Sequence, residues 1–164
     1  MNMLIRKLER QDVKTAAPLM AGFRVKLRSF KGEITEPDTD SGEAELNEYL
    51  DNGFPAFIAA VGDTPVGLMV CRLDEPCVWV EALYVAPEYR RQGIASLLFD
   101  KAEEIAASFG ESTVYNYIHP NNEAVKAFLA SRGYTVLNLL EVRKPYPGEK
   151  LTRKIRVDES EFDY

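Results

Sequence analysis

A chain of 164 residues, 46% hydrophobic and 10% aromatic, is sized for one domain with a core of its own, which excludes fibrous, collagen-like and wholly disordered classes. Its 26 acidic against 20 basic residues leave a net charge of −6, a balance that argues against the nucleic-acid backbone as the main partner. Cys71 and Cys77 form no CxxC pair and His119 is the sole histidine, so neither a metal site nor a disulfide scaffold is expected.

In chain order, Met3–Leu8 reads as a first strand. Asp12 then stands where it can cap a helix whose apolar positions Val13, Ala16, Ala17, Met20, Phe23 and Leu27 fall on one side. Residues 28–40 form a polar loop. A second helix follows, with Asp40 and Glu43 at capping-box spacing, Leu46, Tyr49 and Leu50 inward, and Asn52-Gly53 as its stop. Ala56–Val61 and Val66–Leu73, joined through Gly62-Asp63-Thr64-Pro65, read as a hairpin. Cys77–Val85 is apolar in both alternating phases, Trp79, Leu83 and Val85 in one and Val78, Val80, Ala82 and Tyr84 in the other. Such a pattern predicts a strand buried on both sides, with Glu81 its only charge.

After Ala86-Pro87-Glu88-Tyr89, the run from Arg90 to Ala95 enters a helix with Ile94, Leu97, Leu98, Ala102, Ile105 and Phe109 on one stripe and Gly110 past its end. Thr113–Ile118 is predicted as a strand. Asn121 or Asn122 caps a further helix with Ala124, Val125, Phe128 and Leu129 inward, closed by Gly133. Strands at Tyr134–Val142 and Leu151–Val157 complete the pattern, and residues 158–164 form an acidic tail expected to fray. The order β-α-α-β-β-β-α-β-α-β-β is that of a single α/β (α+β) domain over residues 1–164. The amino-terminal residues turn charged too soon for a signal peptide, and no apolar run approaches the ~20 residues that span a bilayer. A cytoplasmic location without membrane or nucleic-acid partners is the expectation.

The segment richest in chemistry is the passage from Glu81 to Phe109. A buried strand runs through a tight turn into a helix whose start holds Gly93 and the small Ala95. A helix start leaves backbone N–H groups unpaired, with the positive end of the helix dipole behind them. Gly93 would let an anion approach the backbone, and Arg90 and Arg91 add charge at the mouth. The Walker-A pattern fails for want of its Gly-Lys-Ser/Thr, and the dinucleotide fingerprint fails for want of its other glycines.

The string LYVAPEYRRQGIASLLFDKAEEIA resembles the acetyl-CoA-binding motif of the GNAT superfamily of N-acetyltransferases. That motif has Arg or Gln, Gly three residues on, and Gly or Ala two further, here Arg90, Gly93 and Ala95. A second family motif, Asn-x-x-Ala followed by an aromatic and then Gly-Phe or Gly-Tyr, is matched by Asn121, Ala124, Phe128 and Gly133-Tyr134. The resemblance spans Leu4 to Val142. It implies a mixed sheet splayed at its fourth strand and flanked by about four helices, with acetyl-CoA as co-substrate in the gap. On that implication the backbone of Leu83 and Val85 pairs with the pantetheine amides. The N–H groups of Arg91, Gln92, Gly93, Ile94, Ala95 and Ser96 hold the pyrophosphate, and Asn121 contacts the cofactor arm.

Two positions depart from the family pattern. Phe128 stands where many members place a tyrosine general acid, and Asn116 aligns where some place a glutamate base. Glu81, the one carboxylate in the fourth strand, is then the candidate base, acting directly or through water; paired with an arginine it would be structural instead. Tyr84, Tyr115, Tyr117, Tyr134 and His119 are further proton-transfer candidates, more often packing or surface groups than catalysts. The resemblance implies an amine acceptor chosen by residues 28–40 and 144–150. Glu33, Glu36, Asp38 and Asp40 in the first of these suit a cationic small-molecule or peptide amine. It also allows a homodimer through the last strands. Arg143, Lys144, Lys150, Arg153, Lys154 and Arg156 read as solvated strand faces. The rival from another class is an acyl-CoA-binding module without catalysis, suggested by Phe128 and Asn116.

Overall fold

Runs of Val, Ile and Ala that no helix start interrupts form the centre of a five-stranded mixed sheet in the computed structural model, which describes residues 3–164. The strands are β1 (Met3–Lys7), β2 (Ala56–Val61), β3 (Thr64–Asp74), β4 (Cys77–Val85) and β5 (Tyr115–Asn116), in that spatial order. All neighbours are antiparallel except β4 and β5, which run parallel. The β2–β3 turn is the predicted one but tighter: Gly62 takes a left-handed φ of 59°, and Thr64 and Pro65 already belong to β3. Four helices accompany the sheet: α1 (Val13–Ser29), α2 (Thr39–Asp51), α3 (Ile94–Ser108) and α4 (Glu123–Ser131). Among the described residues no helix is long and apolar enough to cross a membrane.

The chain divides into two units between Ala127 and Phe128. In the first, Val13, Ala16, Leu19 and Met20 of α1 and Leu46 of α2 bury their side chains with Ile58, Leu68, Val70 and Ala82 on one face of the sheet. Each Val, Leu, Ile or Met side chain so buried contributes about 1.5–3 kcal/mol. The two helices cross closely at Gly42, where a Cβ would stand 2.6 Å from the carbonyl oxygen of Ala17. On the opposite face α3 lies on Gly67: a Cβ there would stand 3.0 Å from Ile94 Cγ2 and 3.1 Å from Leu98 Cδ1.

Both predicted helix caps shift. Asp12 directly precedes α1, but its side chain accepts no N–H of that helix and instead closes a capping box on the 3₁₀ turn Arg10–Asp12. It forms a two-pronged ion pair with Arg6 of β1, at 2.6 and 2.7 Å, and accepts the N–H of Glu9. α2 is capped by Asp38, two residues ahead of the predicted Asp40, through hydrogen bonds from the Ser41 N–H and hydroxyl. Asp38 has extended φ/ψ, as a capping residue requires, whereas Asp40 is already helical.

A larger departure lies in β4. Val70 pairs with Ala82 and Cys71 with Val80, so Glu81 is an extra residue without a partner, a β-bulge. The strict alternation expected from sequence therefore breaks. Val78, Val80, Leu83 and Val85 share the face covered by α3, while Trp79, Ala82 and Tyr84 share the α1 face.

The predicted strand Thr113–Ile118 is reduced to Tyr115–Asn116, because it pairs with β4 only opposite Trp79 and Val80. In the second unit Tyr134–Val142 is not a strand, and Val136, Leu137, Leu139, Leu140 and Val142 are exposed. Among the described residues nothing pairs with the backbone of 135–142. Of Leu151–Val157 only β6 (Lys154–Val157) is a strand. Its partner is β7 (Ser160–Asp163), formed by the tail expected to fray, and Lys154 pairs with Asp163 at 2.5 Å across the hairpin.

Candidate functional site

The end of β4 has one edge paired and one open. Ala86 donates its N–H to Val66 at 2.9 Å, and the pairs Gly67–Val85 and Met69–Leu83 follow in register. Backbone groups in an antiparallel strand point alternately to either side, so those of Leu83 and Val85 point away from β3. Pairing with β5 ends at Val80, one residue before the bulge. Beyond it no strand among the described residues pairs with this edge of β4, where Leu83 offers its N–H and carbonyl and Val85 its N–H. Arg90 turns back over this edge. Its Nε donates to the Val85 carbonyl at 2.9 Å, and its guanidinium lies 5.3 Å above the Tyr84 ring.

The loop into α3 follows immediately. Pro87–Tyr89 make one 3₁₀ turn, then Arg91 (φ 63°) and Gly93 (φ 80°) both take the left-handed region. Two such residues in four curl the loop so that successive N–H groups line a concavity, the arrangement that binds anions. Among the described residues no backbone or side-chain acceptor takes the N–H of Arg91, Gln92, Gly93, Ile94, Ala95 or Ser96. A Cβ on Gly93 would meet nothing within 4 Å, so the space beside its backbone is open. Arg90, Arg91 and Gln92 are exposed; Ile94 is buried and anchors the helix on Gly67; Ala95 and Ser96 are half-buried. These features fit an extended ligand with two amides and a diphosphate, as the arm of coenzyme A is: the strand edge suits the amides and the loop suits the anion.

On the α1 face of the sheet, polar and aromatic side chains gather around the bulge. Glu81 accepts from Arg72 Nε at 2.8 Å. The Arg72 guanidinium lies 5.4 Å from the Trp79 ring, and Trp79 stacks on Tyr117 at 4.8 Å and meets Tyr115 at 4.9 Å. Behind them α1 and α2 hold a second ion pair, with Arg24 Nε donating to Glu45 at 2.9 Å and the Tyr49 hydroxyl donating to the same carboxylate at 2.7 Å. Burial alone would push the Glu45 carboxyl up; the hydrogen bonds from Arg24 and Tyr49 outweigh it and leave it below the ordinary carboxylate value. Burial, then Glu45, pushes the Tyr49 hydroxyl above its ordinary value. Tyr84 lies across α1 at Gly22, where a Cβ would stand 2.7 Å from its hydroxyl.

The segment after β5 is tied to the end of α1. Asn121 Nδ2 donates to the Phe30 carbonyl at 2.8 Å, and the Phe30 and His119 rings stack at 5.4 Å. Of the two candidate caps Asn122 serves α4, accepting the Val125 N–H at 3.2 Å. Asn116 is half-buried and donates to the Val114 carbonyl. Leu83, Val85 and the residues from Arg90 to Ser96 are thus contiguous, and Glu81 sits at the bulge that separates their edge from β5. Sequence reasoning missed Arg72, Trp79 and the trio Arg24, Glu45 and Tyr49. Arg72 was traceable as the one charge within the apolar run Val66–Leu73; Glu45 and Tyr49 stand four apart on α2, but their partner Arg24 lies more than twenty residues away and left no local signal.

Comparison with known proteins follows the same lines. The profile of the family described as "Acetyltransferase (GNAT) family" matches residues 24–134. A tyramine N-feruloyltransferase 4/11 from Nicotiana tabacum is 26% identical over 116 residues, 71% of this chain and 51% of the relative, so the chain spans about half the length of the curated relative it matches. The PaiA N-acetyltransferase from Thermoplasma acidophilum, solved with coenzyme A, superposes with a TM-score of 0.68 at 20% identity, covering 80% of this chain and 89% of the other. The aminoglycoside N-acetyltransferase AAC(6')-Iy, solved with CoA, gives a TM-score of 0.66 at 19% identity, covering 87% and 95%. At these identities both structures share the fold.

Proposed function

The chain belongs to the acetyltransferase (GNAT) family, and we propose that it moves an acetyl group from acetyl-CoA directly to a primary amine of a small molecule or peptide within a ternary complex. The observation that carries this reading is the free edge of β4 at Leu83 and Val85, continuous with the unpaired N–H groups from Arg91 to Ser96. Acetyl-CoA supplies an activated thioester: the amine nitrogen forms the C–N bond, the C–S bond breaks, CoA leaves as the thiolate, and the amine proton passes to a base. Leu83 and Val85 hold the pantetheine arm by strand-like pairing. The loop and the α3 amino terminus hold the diphosphate, with Arg90 and Arg91 adding charge. Asn121, tied to Phe30, fixes the segment after β5 where the arm passes. Glu81 is the base acting directly or through water, its Oε1 engaged by Arg72 and its other oxygen available.

The relatives' names, a tyramine N-feruloyltransferase and an aminoglycoside N-acetyltransferase, point to amine acceptors for those proteins, which supports an amine acceptor here. The test is calorimetric titration with CoA together with acetyl-CoA consumption over a panel of amines. Micromolar binding with turnover of at least one amine is expected, and absence of CoA binding overturns the reading. A second reading, an acyl-CoA-binding module without catalysis, is favoured by the Glu81–Arg72 pair and by Phe128, which has no proton to give. It expects CoA binding with no amine turned over.

A further inference from the structure

Around Glu81 the acceptor wall is aromatic and its charges are already matched. Trp79 and Tyr117 stack nearly parallel, 16° apart, with Tyr117 still 65% exposed, so one ring face is covered by the indole and the other is open. Tyr115 meets the other side of the same cluster. The two carboxylates on this wall each hold a guanidinium, Glu81 that of Arg72 and Glu45 that of Arg24. The remaining acidic side chains of the α1–α2 segment, Glu33, Glu36, Asp38 and Asp40, are exposed or occupied in capping α2. Both carboxylates on the wall already hold a guanidinium, whereas its open aromatic face beside the second Glu81 oxygen suits a single amine attached to a ring.

We propose that the preferred acceptor is a monoamine carrying an aromatic ring, the ring stacking on the open face of Tyr117 and the amine meeting Glu81. The inference rests on the transferase reading above and specifies its acceptor. Tyr117 and Trp79 are then specificity-determining residues, and Arg72 is a positioning residue that fixes Glu81 beside them.

The experiment compares kcat/KM of the full chain with acetyl-CoA for 2-phenylethylamine, butylamine and spermidine. Burial of a ring plus its stacking predicts a preference for the ring amine of about tenfold or more over butylamine. Tyr117→Ala is expected to remove most of that preference by raising KM for 2-phenylethylamine several-fold more than for butylamine, with the affinity for CoA unchanged, and Tyr117→Phe to restore it. Because Tyr117 is mostly exposed, the variant tests recognition and not folding, which circular dichroism verifies. Turnover of spermidine or butylamine as fast as the ring amine, or a Tyr117→Ala effect equal for all three, overturns this inference alone. Binding of CoA with turnover of no amine overturns the transferase reading and this inference with it.

Discussion

Gly67 of β3 lies directly beneath Ile94 of α3 in a close contact: a Cβ would stand 3.0 Å from Ile94 Cγ2, so the isoleucine would have to give by a few tenths of an ångström to admit a methyl. The contact sets the height at which α3 begins above the sheet, and with it the position of the N–H groups in the loop before it. Gly67→Val is expected to destabilise the fold by about 1–3 kcal/mol through overpacking. CoA affinity should fall with it, and Gly67→Ala should give a milder version of both. Urea denaturation and calorimetric titration measure the two effects; an unchanged affinity in a destabilised valine variant would separate the packing from the cradle.

Gly93 and Arg91 share a left-handed backbone but differ in what they add. Gly93→Glu places strain at φ 80° and negative charge in the space beside the loop, and is expected to weaken CoA binding about a hundredfold or more. Arg91→Gly relieves a left-handed non-glycine at φ 63°, so its melting temperature should stay within about 3 °C of the parent. Its CoA affinity should fall and depend less on salt, since one cation at the mouth is gone.

Glu81→Gln keeps the shape of the bulge and removes the base. The expected result is a fall in kcat of about 10²–10⁴-fold with little change in KM for acetyl-CoA. The Arg72 pair is partly exposed, so stability should drop by no more than about 1 kcal/mol. A fall in rate of less than threefold would leave Glu81 a structural partner of Arg72.

Asp12 carries a pH signature. The hydrogen bonds from Arg6, aided by the Glu9 N–H and opposed by burial, hold its carboxyl below the ordinary value. A depressed carboxyl stabilises the fold above its unfolded pKa of about 3.9, and loses that contribution as pH falls through the folded value. Relative to Asp12→Asn, the parent should therefore be more stable by about 1–2 kcal/mol at neutral pH. The gap should close below about pH 4, as denaturation curves at several pH values would record.

The two cysteines should react unequally. Burial, with a smaller push from the Glu81 charge, raises the Cys71 thiol to about 12, and its side chain is fully buried. Cys77 is half-buried at the start of β4. Native protein treated with a thiol reagent should release about one fast equivalent, with the second appearing only in denaturant.

The helix starts and the chemistry of the α3 loop were legible in sequence because capping residues, glycine and helix-stripe periodicity act within a few residues of one another. Arg90, Gly93 and Ala95 could be placed on one turn from spacing alone. What escaped were features decided by a partner far away. Asp12 has the right type and place for a cap, yet Arg6 claims both its oxygens. Asp38 and Asp40 are equally good caps by composition, and only the backbone angles separate them. Thr113–Ile118 and Tyr134–Val142 both carry strand-forming residues, but a strand is as long as its pairing, and that is not written in either segment. Trp79 and Tyr117 stack because β4 and β5 are parallel neighbours, although Tyr115 and Tyr117, two apart, already hinted at a shared aromatic face.

The unpaired residue at position 81 acts as a phase defect in a two-residue wave. Upstream of it odd numbers look toward α1; downstream even numbers do, as Trp79 and Tyr84 record. A map of tolerated substitutions along 77–85 should therefore reverse its parity at Glu81 instead of repeating evenly. Deleting that one residue would close the bulge and let the alternation run evenly to Val85, leaving each remaining side chain on the face it already has and removing only the carboxylate and the local bend. The receptive edge depends on a count of nine where eight would have made an ordinary strand.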